Sequence, residues 1–224
     1  TPGNEYRSGA GWKANMDWHA VFAEMNRAAR TMISIDILFF GDSITQGMGG
    51  PGRSLTHAPG DSSFAQVFKN ERWLNFGISG DRTQHLLWRI QTGNWHTLHP
   101  RVVVVAIGVN NFPSDTAEEV SEGIRAILQA ILQKDTHCKI LLVGPLPAKE
   151  PAHEFRKKFE QVHRSIKSCH DGRRVFYSDM AFRLLSPDGR LDEQLFSRDG
   201  IHLKTAGYAR WAEWLATDIE KKSE

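Results

Sequence analysis

A hydroxyl, an imidazole and a carboxylate are the parts from which acyl transfer at neutral pH is built. This chain offers them at two distant places, Gly41-Asp42-Ser43-Ile44-Thr45-Gln46 and Asp199-Gly200-Ile201-His202. A serine on a tight turn between a strand and the next helix exposes its hydroxyl, and its N–H points into the same space near a helix start. Gly41 permits the backbone bend. Read alone, Ser43 is equally a helix N-cap among turn residues. Asp199 and His202 stand three apart, so they can meet across a helical turn or a tight loop. The acid then fixes the imidazole tautomer and stabilises its charged form. Read alone, the same four residues are a solvated loop holding one of ten histidines.

Two further blocks carry donors. In Asn75-Phe76-Gly77-Ile78-Ser79-Gly80-Asp81 two glycines three apart let the backbone approach a ligand, and Gly80 offers an N–H to an anion. The other reading is an ordinary strand-to-helix turn. In Gly108-Val109-Asn110-Asn111 an asparagine amide is a neutral donor suited to a developing oxyanion, or else a turn former before the next helix. A lysine-bearing phosphate loop after the first strand is absent, which argues against a nucleotide binder.

These residues need elements to position them. Apolar runs at 35–40 (IDILFF), 73–76 (WLNF), 102–107 (VVVVAI), 139–143 (KILLV) and 175–177 (VFY) predict five strands. Three are nearly continuous, as in parallel strands buried on both faces. Amphipathic segments at 18–30, 63–70, 83–91, 117–134, 154–169 and 205–222 predict helices between them. The alternation implies a doubly wound, three-layer α/β/α sandwich with a five-stranded parallel sheet and right-handed crossovers. In such folds the site lies beyond the carboxyl ends of the strands. The first three motif blocks follow predicted strands, and the fourth precedes the last helix.

The chain has 224 residues, 40% of them hydrophobic and 24% charged, which suits one domain over 1–224 with 1–14 as a loose lead-in. The net charge of +2, without a basic block, gives no reason to expect nucleic acid. No apolar run approaches the roughly 18 residues of a membrane span, so no membrane insertion is expected. Cytoplasmic placement and secretion after processing both remain open, as does a homo-oligomer. Cys138 and Cys169 are the only cysteines and are expected to be two free thiols, although one bridge is open to them. The Gly- and Pro-rich stretch 47–61 is expected to be a loop at the mouth of the site, shaping specificity or inert; His57 on it is expected to be solvated.

Taken together and in this order, the four blocks resemble the SGNH (GDSL-like) hydrolase family, over roughly residues 35–215. The strings NFGISGDRTQHLLW (75–88) and RVVVVAIGVNN (101–111) are similar to the catalytic-subunit branch of intracellular platelet-activating-factor acetylhydrolase and to related bacterial esterases. Two departures stand out: Ile44 where Leu is usual, and Asn111 where many relatives have Asp. The resemblance implies a flavodoxin-like SGNH fold and a serine esterase that needs no cofactor and no metal. Ser43 would be the nucleophile, His202 the base and Asp199 its partner, with the Ser43 N–H, Gly80 N–H and Asn110 amide as the oxyanion hole. The implied substrate is a short-chain, acetyl-type ester of a small molecule or saccharide. The rivals are a phospholipid deacetylase, a thioesterase or lysophospholipase, and a silent binding module that keeps the fold.

Overall fold

The computed structural model describes residues 1–3 and 10–223. The five apolar runs form β1 (Ile37–Gly41), β2 (Trp73–Gly77), β3 (Val102–Ala106), β4 (Lys139–Leu142) and β5 (Val175–Tyr177). All pairings are parallel, in the order β2-β1-β3-β4-β5. This is the flavodoxin-like arrangement, whose strand order reverses beside the first strand. The runs are continuous because β1, β2 and β3 are buried at every position. Successive side chains leave opposite faces of a strand. Phe39 therefore meets Phe64 on one side of β1, while Phe40 meets Trp95 on the other.

The helices are α1 (Trp18–Thr31), a one-turn α2 (Ser43–Gln46), α3 (Asp61–Val67), α4 (Thr83–Thr92), α5 (Ala117–Lys134), α6 (Glu154–Ile166) and α7 (Thr205–Ser223). Helices α4, α5 and α6 pack side by side, and α3 packs against α7. Caps decide where several begin. Asp17 accepts from Ala20 N at 2.7 Å to start α1. Thr116 and Glu119 form a capping box on α5.

The differences from expectation lie at element ends. The helix predicted at 63–70 begins at Asp61 and stops at Val67. The one predicted at 154–169 ends as an α-helix at Ile166 and continues as a 3-10 turn, Lys167–Cys169. Of the expected lead-in, residues 4–9 lie outside the described residues. Its later part packs against the 47–61 loop: Trp12 bridges Leu55, and Thr56 N donates to Gly11 O at 2.9 Å. Cys138 and Cys169 are free thiols. Among the described residues no helix is long and apolar enough to cross a membrane.

Candidate active site

Register brings the loops together. Gly41 of β1 lies level with Gly77 of β2 and Ala106 of β3, so the segments holding Ser43, Gly80 and Asn110 leave the sheet side by side. Gly41 is required for a reason other than a bend. A Cβ there would run into Thr45 Oγ1 and the Ala106 carbonyl. Asp42 caps α2 by accepting from Ile44 N at 2.9 Å, which leaves Ser43 as its first residue with an N–H unused by the helix. Burial pushes the Asp42 carboxyl up to about 7, against the pull of the Ile44 N–H and the nearby His202.

Ser43 Oγ stands 2.9 Å from His202 Nε2, across 159 residues of sequence. His202 Nδ1 stands 2.6 Å from Asp199 Oδ2. Helix α7 starts only at Thr205, so Asp199 and His202 meet on a loop rather than across a helical turn. Asp199 Oδ1 accepts from Ile201 N at 2.9 Å, His202 N at 3.0 Å and Ser197 Oγ at 2.8 Å. Partial burial pushes the Asp199 carboxyl up, but these hydrogen bonds together with the imidazole outweigh it and hold the group well below the usual carboxylate range. Lys149 braces the loop from the β4–α6 connection, its Nζ donating to Asp199 O at 2.7 Å.

Gly80 takes a left-handed φ of +82° in the turn closed by Asp81 N donating to Ile78 O at 3.2 Å. Asn110 lies on the 3-10 turn Val109–Asn111 and donates through Nδ2 to Asp81 O at 2.9 Å. That bond uses one of the two amide protons and seats Asn110 beside the Gly80 turn. Asn111 has a separate task. Its Oδ1 accepts from Thr83 N at 3.0 Å, and its Nδ2 donates to Asp115 at 2.5 Å, so it stitches the β3 loop to the start of α4.

Sequence reasoning missed the polar residues behind these groups. Gln46 is buried, and its Oε1 accepts from Ser79 N at 3.0 Å and Trp12 Nε1 at 2.7 Å. Its Nε2 donates to Ala10 O at 2.7 Å. Asn75 donates to Thr45 O and Gly49 O, each at 2.7 Å. Buried Tyr208 of α7 donates to Ile44 O at 2.9 Å. Gln46, the last residue of the Gly41–Gln46 block, is the one signal in the sequence from which this layer could have been suspected. Above this layer lies a cleft of about 440 Å³, with Ser43 and His202 on its wall beside Ala10, His57, Pro59 and Ser79. The 47–61 loop does border the site, and exposed His57 faces the cleft.

The arrangement can pass a proton from a hydroxyl to an imidazole whose far nitrogen is held by a carboxylate, at the sheet edge from which the Gly80 and Asn110 turns also leave. Comparison with known proteins agrees with that chemistry. The profile of the GDSL-like lipase/acylhydrolase family matches residues 39–210. The human (Homo sapiens) platelet-activating factor acetylhydrolase IB subunit alpha2 is 35% identical over 177 residues, 78% of this chain and 72% of that protein. A GDSL-like lipase from Bacteroides thetaiotaomicron superposes with a TM-score of 0.67 at 19% identity, covering 89% of this chain and 96% of its own. A catalytic mutant of an acetylxylan esterase from Geobacillus stearothermophilus superposes with a TM-score of 0.63 at 19% identity, covering 84% and 95%. At these identities the two structures speak for the fold.

Proposed function

We propose, on the premise that the chain belongs to the GDSL-like lipase/acylhydrolase family, that it cleaves short-chain esters, acetyl esters of carbohydrates foremost, through a covalent acyl-enzyme. Membership makes it a hydrolase acting on ester bonds. The observation that carries the mechanism is the relay from Ser43 Oγ to His202 Nε2 at 2.9 Å and from His202 Nδ1 to Asp199 at 2.6 Å.

In this reading His202 Nε2 takes the Ser43 proton as Oγ bonds to the ester carbonyl carbon. Asp199, held ionised by its hydrogen bonds, keeps the Nδ1 proton in place and stabilises the imidazolium. The carbonyl oxygen becomes an oxyanion received by the Ser43 N–H, the Gly80 N–H and the Asn110 amide. His202 returns its proton to the leaving alcohol. Water, deprotonated by His202, then releases the acid and restores Ser43.

The substrate reading rests on the cleft. Gln46, His57, Ser79 and Ser197 line it, a polar surface suited to an alcohol rich in hydroxyls. The acetylxylan esterase among the structural neighbours fits that choice. A second reading, removal of acetyl from a phospholipid like platelet-activating factor, is favoured by the 35% identity to the human acetylhydrolase subunit. A panel of acetylated xylo-oligosaccharides, p-nitrophenyl acetate, butyrate and octanoate, and a 2-acetyl ether phospholipid tests both. We expect the acetylated sugar to be the best substrate and Ser43→Ala to be inactive on all of them. Preference for the phospholipid selects the second reading. Hydrolysis undiminished in Ser43→Ala rejects the serine mechanism.

A further inference from the structure

Beneath the loops that carry Ser43, Gly80 and Asn110 lies a buried ion pair. The Asp81 and Arg89 side chains are 0% and 1% exposed. Arg89 Nε donates to Asp81 Oδ2 at 2.8 Å, and Nη2 donates to the same oxygen. The rest of the guanidinium holds backbone: Nη1 donates to Phe76 O at 2.8 Å and Nη2 to Gly41 O at 3.2 Å. Trp18 of α1 closes the cluster, its Nε1 donating to Asp81 Oδ1 at 2.6 Å. Trp18 precedes the span matched by the family profile, which begins at residue 39.

A buried pair of this kind gives little stability over apolar packing of the same volume. Its position is more telling. Gly41, whose carbonyl Arg89 holds, lies two residues before Ser43, and that carbonyl also accepts from Ile78 N at 3.2 Å. Asp81 follows Gly80 directly, and its own carbonyl accepts the Asn110 amide at 2.9 Å. One guanidinium thus touches Gly41 at the base of the Ser43 turn and Asp81 beside Gly80, and Asp81 in turn holds the Asn110 amide.

We infer that Arg89 is a positioning residue for the oxyanion site, fixing the Ser43 turn, the Gly80 turn and, through Asp81, the Asn110 amide relative to one another. The inference rests on the oxyanion role proposed above. Donors placed in advance act on charge that exists only in the transition state, so their displacement lowers turnover rather than substrate binding. Lysine keeps the charge of Arg89 but is a point donor without the planar fork, and cannot reach Asp81 and both carbonyls together.

The test compares Arg89→Lys and Trp18→Phe with wild type and Ser43→Ala, using p-nitrophenyl acetate and a trifluoromethyl ketone that forms a tetrahedral adduct with a serine. In Arg89→Lys kcat is expected to fall about tenfold to a hundredfold while KM stays within about twofold. The ketone should bind more weakly in proportion to the loss in kcat/KM, and the acid limb of the pH profile should not move. Trp18→Phe keeps ring packing against Phe22 and Trp88 and loses only the N–H to Asp81, so the same pattern is expected at about a few-fold. A purely structural pair would lower the melting temperature and leave kcat and ketone affinity alone, which overturns the inference, as does a loss carried by KM. Should Arg89→Lys not fold, Trp18→Phe decides. Hydrolysis surviving in Ser43→Ala removes the serine mechanism and this inference with it. An inactive Ser43→Ala beside a Trp18→Phe of full kcat removes this inference alone.

Discussion

Asp199 receives two backbone N–H groups, a serine hydroxyl and an imidazole, and each preserves its charge for His202. Asp199→Asn keeps the size of the side chain but removes that charge and offers a donor where Nδ1–H needs an acceptor. We expect kcat to fall about 10³–10⁴-fold with the fold retained, read by steady-state hydrolysis of p-nitrophenyl acetate. Asp42, near enough to His202 to feel its charge, behaves in the opposite sense. Its folded pKa is raised to about 7 by burial. Between the unfolded value of about 3.9 and that folded value, the native state holds a proton that the unfolded chain has released, so stability falls as pH rises through this window. Asn at this position does not ionise and can still cap Ile44. The melting temperature of Asp42→Asn relative to wild type should therefore climb from about pH 4 to about pH 8; a constant difference would refute the assignment. The grouping of Ser43, His202 and Asp199 was legible because each sits in a short motif, one after the first strand and the other before the last helix. Gln46, Arg89 and Asn111 were not, because their partners are backbone groups and side chains brought in from other segments. Nothing in the neighbouring residues announces such a partner.

At the scale of elements, apolar runs placed all five strands and periodicity every α-helix but the one-turn α2, and the errors gathered where a cap or a close approach decides. Glycine 123 illustrates the second case. It sits inside α5 where it crosses α4, and a Cβ there would meet Thr83 Oγ1 at 2.5 Å and Thr83 Cβ at 2.7 Å. Alanine is the better helix former by about 1 kcal/mol. Gly123→Ala should nonetheless lose about 1 kcal/mol or more net, since overpacking costs about 1–3 kcal/mol. The midpoint of urea denaturation measures it, and an unchanged or higher midpoint would show that the helices can part freely. Thr83 is also the residue that Asn111 holds, so the α4–α5 contact and the Asn110 turn share one anchor. That coupling joins helix packing to the site, and no periodicity in either helix reports it.

For the whole molecule, continuous apolar strands separated by helices were enough to specify parallel pairing and a site at the carboxyl ends. The order β2-β1-β3-β4-β5 agrees with the expected flavodoxin-like arrangement, which came from the resemblance of the motif blocks rather than from the strands, since strand neighbours are set by which crossovers pack. The equal register of Gly41, Gly77 and Ala106 lay beyond sequence reasoning, yet it is what sets three loops level at one edge of the sheet.

The residues ahead of the first strand carry a consequence of their own. Ala10 borders the cleft, Trp12 holds Gln46, and Trp18 holds Asp81. A chain trimmed to the segment that defines its kinship, from residue 39 onward, would keep the hydroxyl and the imidazole while losing one bank of the channel and two indole props beneath it. Such a core would be a poor stand-in for judging which esters this protein prefers, because residues 10–18 border the cleft and brace the layer beneath it.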